Sequence, residues 1–399
     1  MNHHETWVLT DTSKRTYIET FDQKGSINSG SGRIDWHIHK ERLRGGLSDG
    51  VDLITVTVGN FEVAICPTRG MGIWKGTFAG HELGWDSPVK GPVNPALIQR
   101  DELGGIGWLA GFDEWIVRCG LNNNGGPAVD RLLDNTGAEQ SMAIPLHGRI
   151  ANIPAHFVAV SLSNEPAPCI EVHGIVDEAM LFFPQLRLDT RIRIPLDRSG
   201  IVIHDRVINR RSQPAELELL YHTNFGPPML EKGSRFLAPI DRLAPINAHS
   251  QKGLERWNIY PGPIAGVIEE CFVMKLLARK EDRQSMAMIQ NRGRDLACLL
   301  RFSLDQLPWF TLWRNPGALS DGYVTGLEPG TDLPNAKPFE RQNGRVVRIP
   351  AGESYESVLS VEVTCDPLQV KGWEKEIADI QSTQPPRIER GLPADLTPG

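Results

Sequence analysis

The sequence predicts an all-β protein, one large antiparallel β-sandwich with few short helices. Two observations carry that expectation. Runs rich in β-branched and aromatic residues alternate with period two over much of the chain. Turn residues separate them: Gly 39 and Pro 29 in 399 residues are too many for a helical protein and suit many turns between short strands.

The elements follow in order. Residues 1–35 are polar and irregular, with Gly-Ser-Ile-Asn-Ser-Gly-Ser-Gly at 25–32, and read as a loop or lead-in arm. Val51–Val58 and Phe61–Ile65 are β-rich runs joined by Gly59-Asn60, the two-residue signal of a hairpin. Further strand-like runs lie at 155–163, 169–176, 185–195, 200–208, 215–222, 271–278, 285–290, 296–303, 309–314, 344–349 and 355–364. Arg187–Ile194 alternates strictly, so one face is buried and the other solvated. Helical candidates are a short one at Asn94–Asp101 and a better one at 366–381, where Asp366 serves as N-cap and Pro367 opens the first turn. After 382 the chain is Pro-rich and reads as a surface tail. The expected organisation is an N-terminal arm at 1–50 packing on the core, a catalytic sandwich at 51–365, and a C-terminal helix and tail at 366–399.

Composition narrows the function classes. Net charge is −7 with no long basic run, which argues against nucleic acid as a partner. No stretch approaches the ~20 apolar residues that span a bilayer, and Met1–Trp7 lacks the apolar core of a signal peptide. Cys66, Cys119, Cys169, Cys271, Cys298 and Cys365 form no CxxC pair and sit mostly in apolar runs, as buried thiols do in a reducing compartment. A cytoplasmic location is the expectation.

Four segments place polar residues where chemistry needs them. In Leu146-His147-Gly148-Arg149 the glycine lets a ligand approach the backbone, although a lone His-Gly is more often a surface turn. In Tyr221-His222-Thr-Asn224-Phe225 a β-rich run ends in a histidine and breaks into a loop, a favoured place for catalysis and equally for a histidine that satisfies buried backbone. In Gly326-Leu-Glu328-Pro329-Gly330 a carboxylate ends an apolar run, where burial would raise its pKa toward that of a general base. Most glutamates before turns are simply solvated. In Cys66-Pro-Thr-Arg69-Gly the guanidinium suits sugar hydroxyls or a structural carboxylate.

The joint order of these segments resembles the galactose mutarotase-like superfamily, the aldose 1-epimerases and hexose-6-phosphate epimerases. The shared phrases are Leu146-His147-Gly148, then Tyr221-His222-Thr-Asn-Phe225, then Leu327-Glu328-Pro329 with Leu333-Pro334-Asn335-Ala336. Phe310-Thr-Leu-Trp313-Arg-Asn-Pro316 looks like a strand of the sugar-phosphate branch. Arg-Gly-Met-x-Ile at 69–73, Cys-Gly-Leu-Asn-Asn at 119–123 and His-Gly-Arg-Ile at 147–150 are similar to an uncharacterised aldose 1-epimerase-like branch of the DUF4432 type. The resemblance covers roughly 50–365 and implies the family's β-supersandwich and its cofactor-free chemistry. By resemblance Glu328 is the base, His222 the acid on the ring oxygen, and His147 a hydrogen-bonding partner of the sugar. The classical arginine phrase upstream of the first histidine is missing, which leaves Arg69 or Arg118 to replace it. Asn224, Asp241 and Trp313 complete the expected substrate contacts.

The expected function is therefore interconversion of α and β anomers of a sugar or sugar derivative, with a small carbohydrate as partner, no nucleic acid, no membrane and no metal. A homo-oligomer is left open. The alternatives are a non-catalytic carbohydrate-binding or regulatory protein, and an epimerase or lyase acting at another carbon with Tyr221 as the residue to watch. His37-Ile-His39 puts two imidazoles on one strand face, a spacing metals use, but no third ligand stands nearby in sequence, so exposed strand histidines are the favoured reading. Gly104-Gly-Ile-Gly107 lacks the residues of a phosphate loop.

Overall fold

Two large sheets hold nearly all of the regular structure in the computed structural model, which describes residues 5–29, 32–163 and 167–398. The first, of ten strands, runs in the order Arg235–Leu237, Gln284–Gln290, Ala297–Ser303, Ser354–Thr364, Gly200–Asn209, Gln185–Pro195, Cys169–Ala179, Phe157–Ser163, Glu5–Asp11 and Thr16–Tyr17. The second, of fourteen, has as its main path Arg387–Ile388, Ile240–Pro245, Glu270–Leu276, Trp309–Asn315, Val324–Gly330, Ala215–Phe225, Ile116–Leu121, Gly72–Phe78, Phe61–Cys66, Asp52–Val58, Gly32–Arg42 and Phe21–Ser29. All pairings are antiparallel except Ile240–Pro245 with Arg387–Ile388. The all-β sandwich expectation agrees with this architecture.

The core follows from the pleat. Alternate residues of each strand enter the space between the sheets: Leu188, Ile192, Ile203, Val207, Leu359 and Val361 from the first, Leu219, Tyr221, Phe225, Leu312 and Leu327 from the second. At ~25 cal/mol per Å² of apolar surface removed from water, this layer is the dominant stabilising term. Among the described residues an ion pair crosses it, between Arg118 and Asp205. Arg118 donates from Nε and one terminal nitrogen to both oxygens of Asp205, at 2.5 and 2.9 Å. Asp205 also accepts from the Tyr221 hydroxyl at 2.8 Å.

Several local expectations are revised. The described part of the first 35 residues is not a loop: Glu5–Asp11 pairs with Phe157–Ser163, and Phe21–Ser29 with Gly32–Arg42, while 1–4, 30 and 31 lie outside the described residues. A distant partner strand satisfies the first segment and an adjacent one the second, although neither shows much local β signal. The Gly59-Asn60 hairpin forms as expected, with Val58 facing Phe61 and Gly59 at φ 58°. In place of a helix at Asn94–Asp101 there is one 3-10 turn, Pro95–Leu97, capped by the Asn94 side chain. The helix Pro367–Gln381 does form, its Asp366 side chain accepting from the Leu368 N–H. It lays Val370, Trp373, Ile377 and Ile380 on Met286, Met288, Ala297 and Leu299 of the first sheet's outer face. The tail is not merely superficial. Arg387–Ile388 extends the second sheet and Leu396 is buried against Ala244 and Trp309. No described helix is long and apolar enough to cross a membrane.

Candidate active site

The site lies on the face of the second sheet turned away from the main core. Ala215–Phe225 continues through Asn224, so His222 stands inside a strand rather than at a strand end. Val324–Gly330 likewise carries Glu328 mid-strand, and Pro329 still pairs across to Phe310. The register pairs Thr223 with Leu327 and Leu220 with Gly330, which sets His222 across from Glu328. Thr311 flanks Glu328 on the other side, and Trp313 faces Gly326. Period two therefore puts His222, Asn224, Gly326, Glu328, Thr311 and Trp313 on one face, while Tyr221 and Arg118 point the opposite way.

Each histidine has a fixed tautomer. His222 Nδ1 lies 2.6 Å from Asn224 Oδ1, and the Asn224 amide donates to the Glu114 carbonyl at 3.0 Å. The amide orientation makes Oδ1 the acceptor, so Nδ1 carries the proton and Nε2 faces Glu328. Nε2 is 3.0 Å from Glu328 Oε1. The pair is close without the alignment of a hydrogen bond, and Oε1 is a buried oxygen with no donor. His147 Nδ1 donates to the Asn124 carbonyl at 2.7 Å, leaving its Nε2 as an acceptor.

His147 reaches the cluster through backbone that its glycine permits. His147 and Gly148 both adopt positive φ, 56° and 72°. A Cβ at Gly148 would sit 2.3 Å from the Asn123 and Gly120 carbonyl oxygens, so only glycine fits there. The turn is pinned by the Gly120 N–H to the His147 carbonyl at 3.1 Å and the Arg149 N–H to the Gly120 carbonyl at 2.9 Å. The His147 and His222 rings then lie 5.7 Å apart, edge to face.

Aromatic rings enclose the three groups. Trp108 stands 4.6 Å from the His147 ring, Phe112 5.0 Å and Trp313 5.3 Å from His222, and Trp85 5.0 Å from Phe112. His222 and Glu328 keep only 5% and 3% of their side-chain surface exposed. In that dry setting burial pushes Glu328 well above the ordinary carboxyl range, with the Glu269 carboxylate adding to the effect. Burial holds His222 well below its ordinary range, with His147 a secondary cause. Burial also lowers the half-buried His147, to about 4. Trp108 Nε1 and Thr311 Oγ1 are buried without partners on the same face as Glu328 Oε1 or beside His147. Unpaired buried polar atoms are rare, and clustered on one face they mark where a polar ligand's groups would bond.

The structure brings together His147, His222, Glu328, Asn224 and Trp313. It does not bring Arg69, Arg118 or Asp241 to them. Arg69, fully buried, gives its donors to Glu114 (2.6 and 2.9 Å), Asn152 (2.8 Å) and the Gly111 carbonyl (2.8 Å), which fastens the Gly107–Gly111 turn beneath Phe112. Arg118 serves the inter-sheet ion pair. Asp241 accepts from Gln384 at 2.6 Å on a strand near the opposite edge. Sequence reasoning missed Trp108, Phe112, Trp85 and Thr311. Thr311 was findable, since it lies two residues from Trp313 on a strand and so shares its face. The three aromatics come from loops, and no periodicity announces them.

Comparison with known proteins gives the family and the fold. The family model of DUF4432, a domain of unknown function, matches residues 48–363. A Klebsiella pneumoniae crystal structure described as a "putative aldose 1-epimerase" is 32% identical, covers 98% of this chain and 99% of its own, and superposes with a TM-score of 0.89. A galactose mutarotase-like protein from Clostridium acetobutylicum shares the fold at 15% identity and a TM-score of 0.54, over 87% of this chain and 99% of that one. A search of curated proteins gives no match. With a sandwich of this topology, a family model that spans its core and a relative alike over nearly its whole length, the chain belongs to the DUF4432 family and has the galactose mutarotase-like fold.

Proposed function

We propose that the protein interconverts the α and β anomers of a small carbohydrate by acid–base opening and reclosure of the sugar ring. The observation that carries this is the opposed pair, Glu328 and His222, 3.0 Å apart and sealed from water beside a second, neutral histidine. One proton belongs to the pair. Burial favours the neutral form, protonated Glu328 with neutral His222. A sugar whose hydroxyls hydrogen-bond to both groups favours the ionic form, because it replaces the lost solvation.

From that form the steps balance. Glu328 carboxylate takes the proton of the anomeric hydroxyl as the C1–O1 bond becomes a carbonyl. The C1–O5 bond breaks, and protonated His222 gives its Nε2 proton to O5. Rotation about C1–C2 and the reverse transfers close the ring on the other face of C1. His147 Nε2 accepts from a sugar hydroxyl, Trp108 Nε1 donates to one, and the half-buried face of Trp313 stacks on the ring. Asn224 keeps His222 in the tautomer that points Nε2 at the substrate.

The test is exchange NMR at the anomeric protons of a panel of aldoses, sugar phosphates and uronates, with and without enzyme. Faster α–β exchange for one sugar is expected. Positioned acid–base groups contribute ~10²–10⁴-fold, so Glu328→Gln should lose about that factor while melting like the parent. Parent-like exchange by this variant refutes the assignment. Line broadening without exchange points instead to a carbohydrate-binding protein.

A further inference from the structure

The edge hairpin of the second sheet brings a third ligand to the His37-Ile-His39 pair. The antiparallel register of Phe21–Ser29 and Gly32–Arg42 places Asp22 directly across from His39 and Lys24 across from His37. Residues 22, 24, 37 and 39 therefore share the outward face. Asp22 Oδ2 lies 2.8 Å from His37 Nε2 and 3.2 Å from His39 Nδ1, and all three ligand atoms fall within 4.8 Å of one another. Ligands on a tetrahedral zinc with bonds of about 2.0–2.2 Å stand roughly 3.4 Å apart, so small side-chain rotations complete the fit. The sequence reading, which found no third ligand, missed Asp22 because it is remote in sequence and near only through strand pairing.

The three groups are also free for the task. Among the described residues Asp22 has no arginine or lysine partner, and each imidazole hydrogen-bonds only to it. Their side chains are 53%, 44% and 35% exposed, so an ion enters without unfolding anything and waters can fill its remaining positions. Two borderline imidazole nitrogens beside one hard carboxylate oxygen suit zinc, nickel, copper or iron(II) rather than calcium or magnesium. Five strand spacings separate Gly32–Arg42 from the strand of His222, on the order of 25 Å at ~4.8 Å each.

We propose that Asp22, His37 and His39 form a divalent transition-metal site on the outer face of this edge hairpin, separate from the His147–His222–Glu328 cluster. The probe is zinc chloride added to the full-length protein after chelator treatment, followed by calorimetry and by competition with a chromogenic zinc indicator. Four of the six cysteines are buried and do not compete. His3 and His4 precede the described residues, and the variants below retain them.

One equivalent of zinc should bind the parent chain, and that equivalent should vanish in the His37→Ala/His39→Ala double variant. Asp22→Asn should weaken it by about tenfold or more, as loss of a carboxylate partner does at metal sites. Thermal melting of all variants without metal should match the parent, because the three side chains are exposed and outside the core. Cobalt(II) offers an independent reading through the intensity of its visible bands, which rises in four-coordinate sites. Zinc stoichiometry unchanged in the double variant, or no binding by the parent above the indicator's threshold, overturns the proposal.

Discussion

At the scale of single residues, the molecule tolerates several charged or polar groups in dry surroundings, and their titration should be visible. Glu218 and Asp332 are buried carboxyls that both accept from Asn124 below the His147 turn. Asn124 ties them to it: its side chain donates to Asp332 at 2.5 Å and its carbonyl accepts from His147. Burial raises Glu218 from 4.5 to about 7. A carboxyl raised on folding stabilises fully below its unfolded value, and that stability is lost as pH rises through the folded value. The parent melting temperature should therefore decline between about pH 5 and about pH 8, and Glu218→Gln should flatten that decline. Equal slopes in parent and variant would count against a shared buried proton.

At the scale of elements, a strand register makes the acid–base pair, and a glycine keeps room for it. A Cβ at Gly326 would stand 2.4 Å from Glu328 Oε1 and 2.8 Å from His222 Cε1, closer than real Cβ atoms come. Gly326→Ala should leave the strands intact, because residue 326 is ordinary extended backbone, but force apart the two side chains proposed as acid and base. A displacement of about 1 Å costs on the order of 10²-fold in rate. The expected result is a large fall in anomer exchange with unchanged circular dichroism. Retained exchange would mean that the pair need not hold the geometry seen here.

At the scale of the whole molecule, the two sheets are joined by apolar burial and by one charged bridge. Removing one partner of a buried ion pair costs about 3–5 kcal/mol, because the other charge is left unpaired. Arg118→Ala should therefore lower stability by about that amount, measured by denaturant titration, while the surviving folded fraction keeps its KM for the sugar. A rise in KM instead would return Arg118 to the substrate-binding role expected of it from the sequence. The same reasoning places Arg69, whose four donated bonds brace the turn carrying Phe112, in the site's support.

The amino-acid sequence by itself determined the sandwich, the Gly59-Asn60 hairpin and the capped helix at 367–381, because period-two burial, two-residue turns and N-caps are local physics. Through ordered motifs it also pointed to His147, His222 and Glu328. Only the tertiary structure decided what those residues face. Strand pairing sets His222 across from Glu328, turns Arg118 toward Asp205 in the core, and carries Asp22 to the two edge histidines. In the polar N-terminal stretch, Glu5–Asp11, Phe21–Ser29 and Gly32–Arg42 became strands through their pairing partners as well. Register is fixed by which face is buried and by the partner strand, and neither can be read from a segment alone.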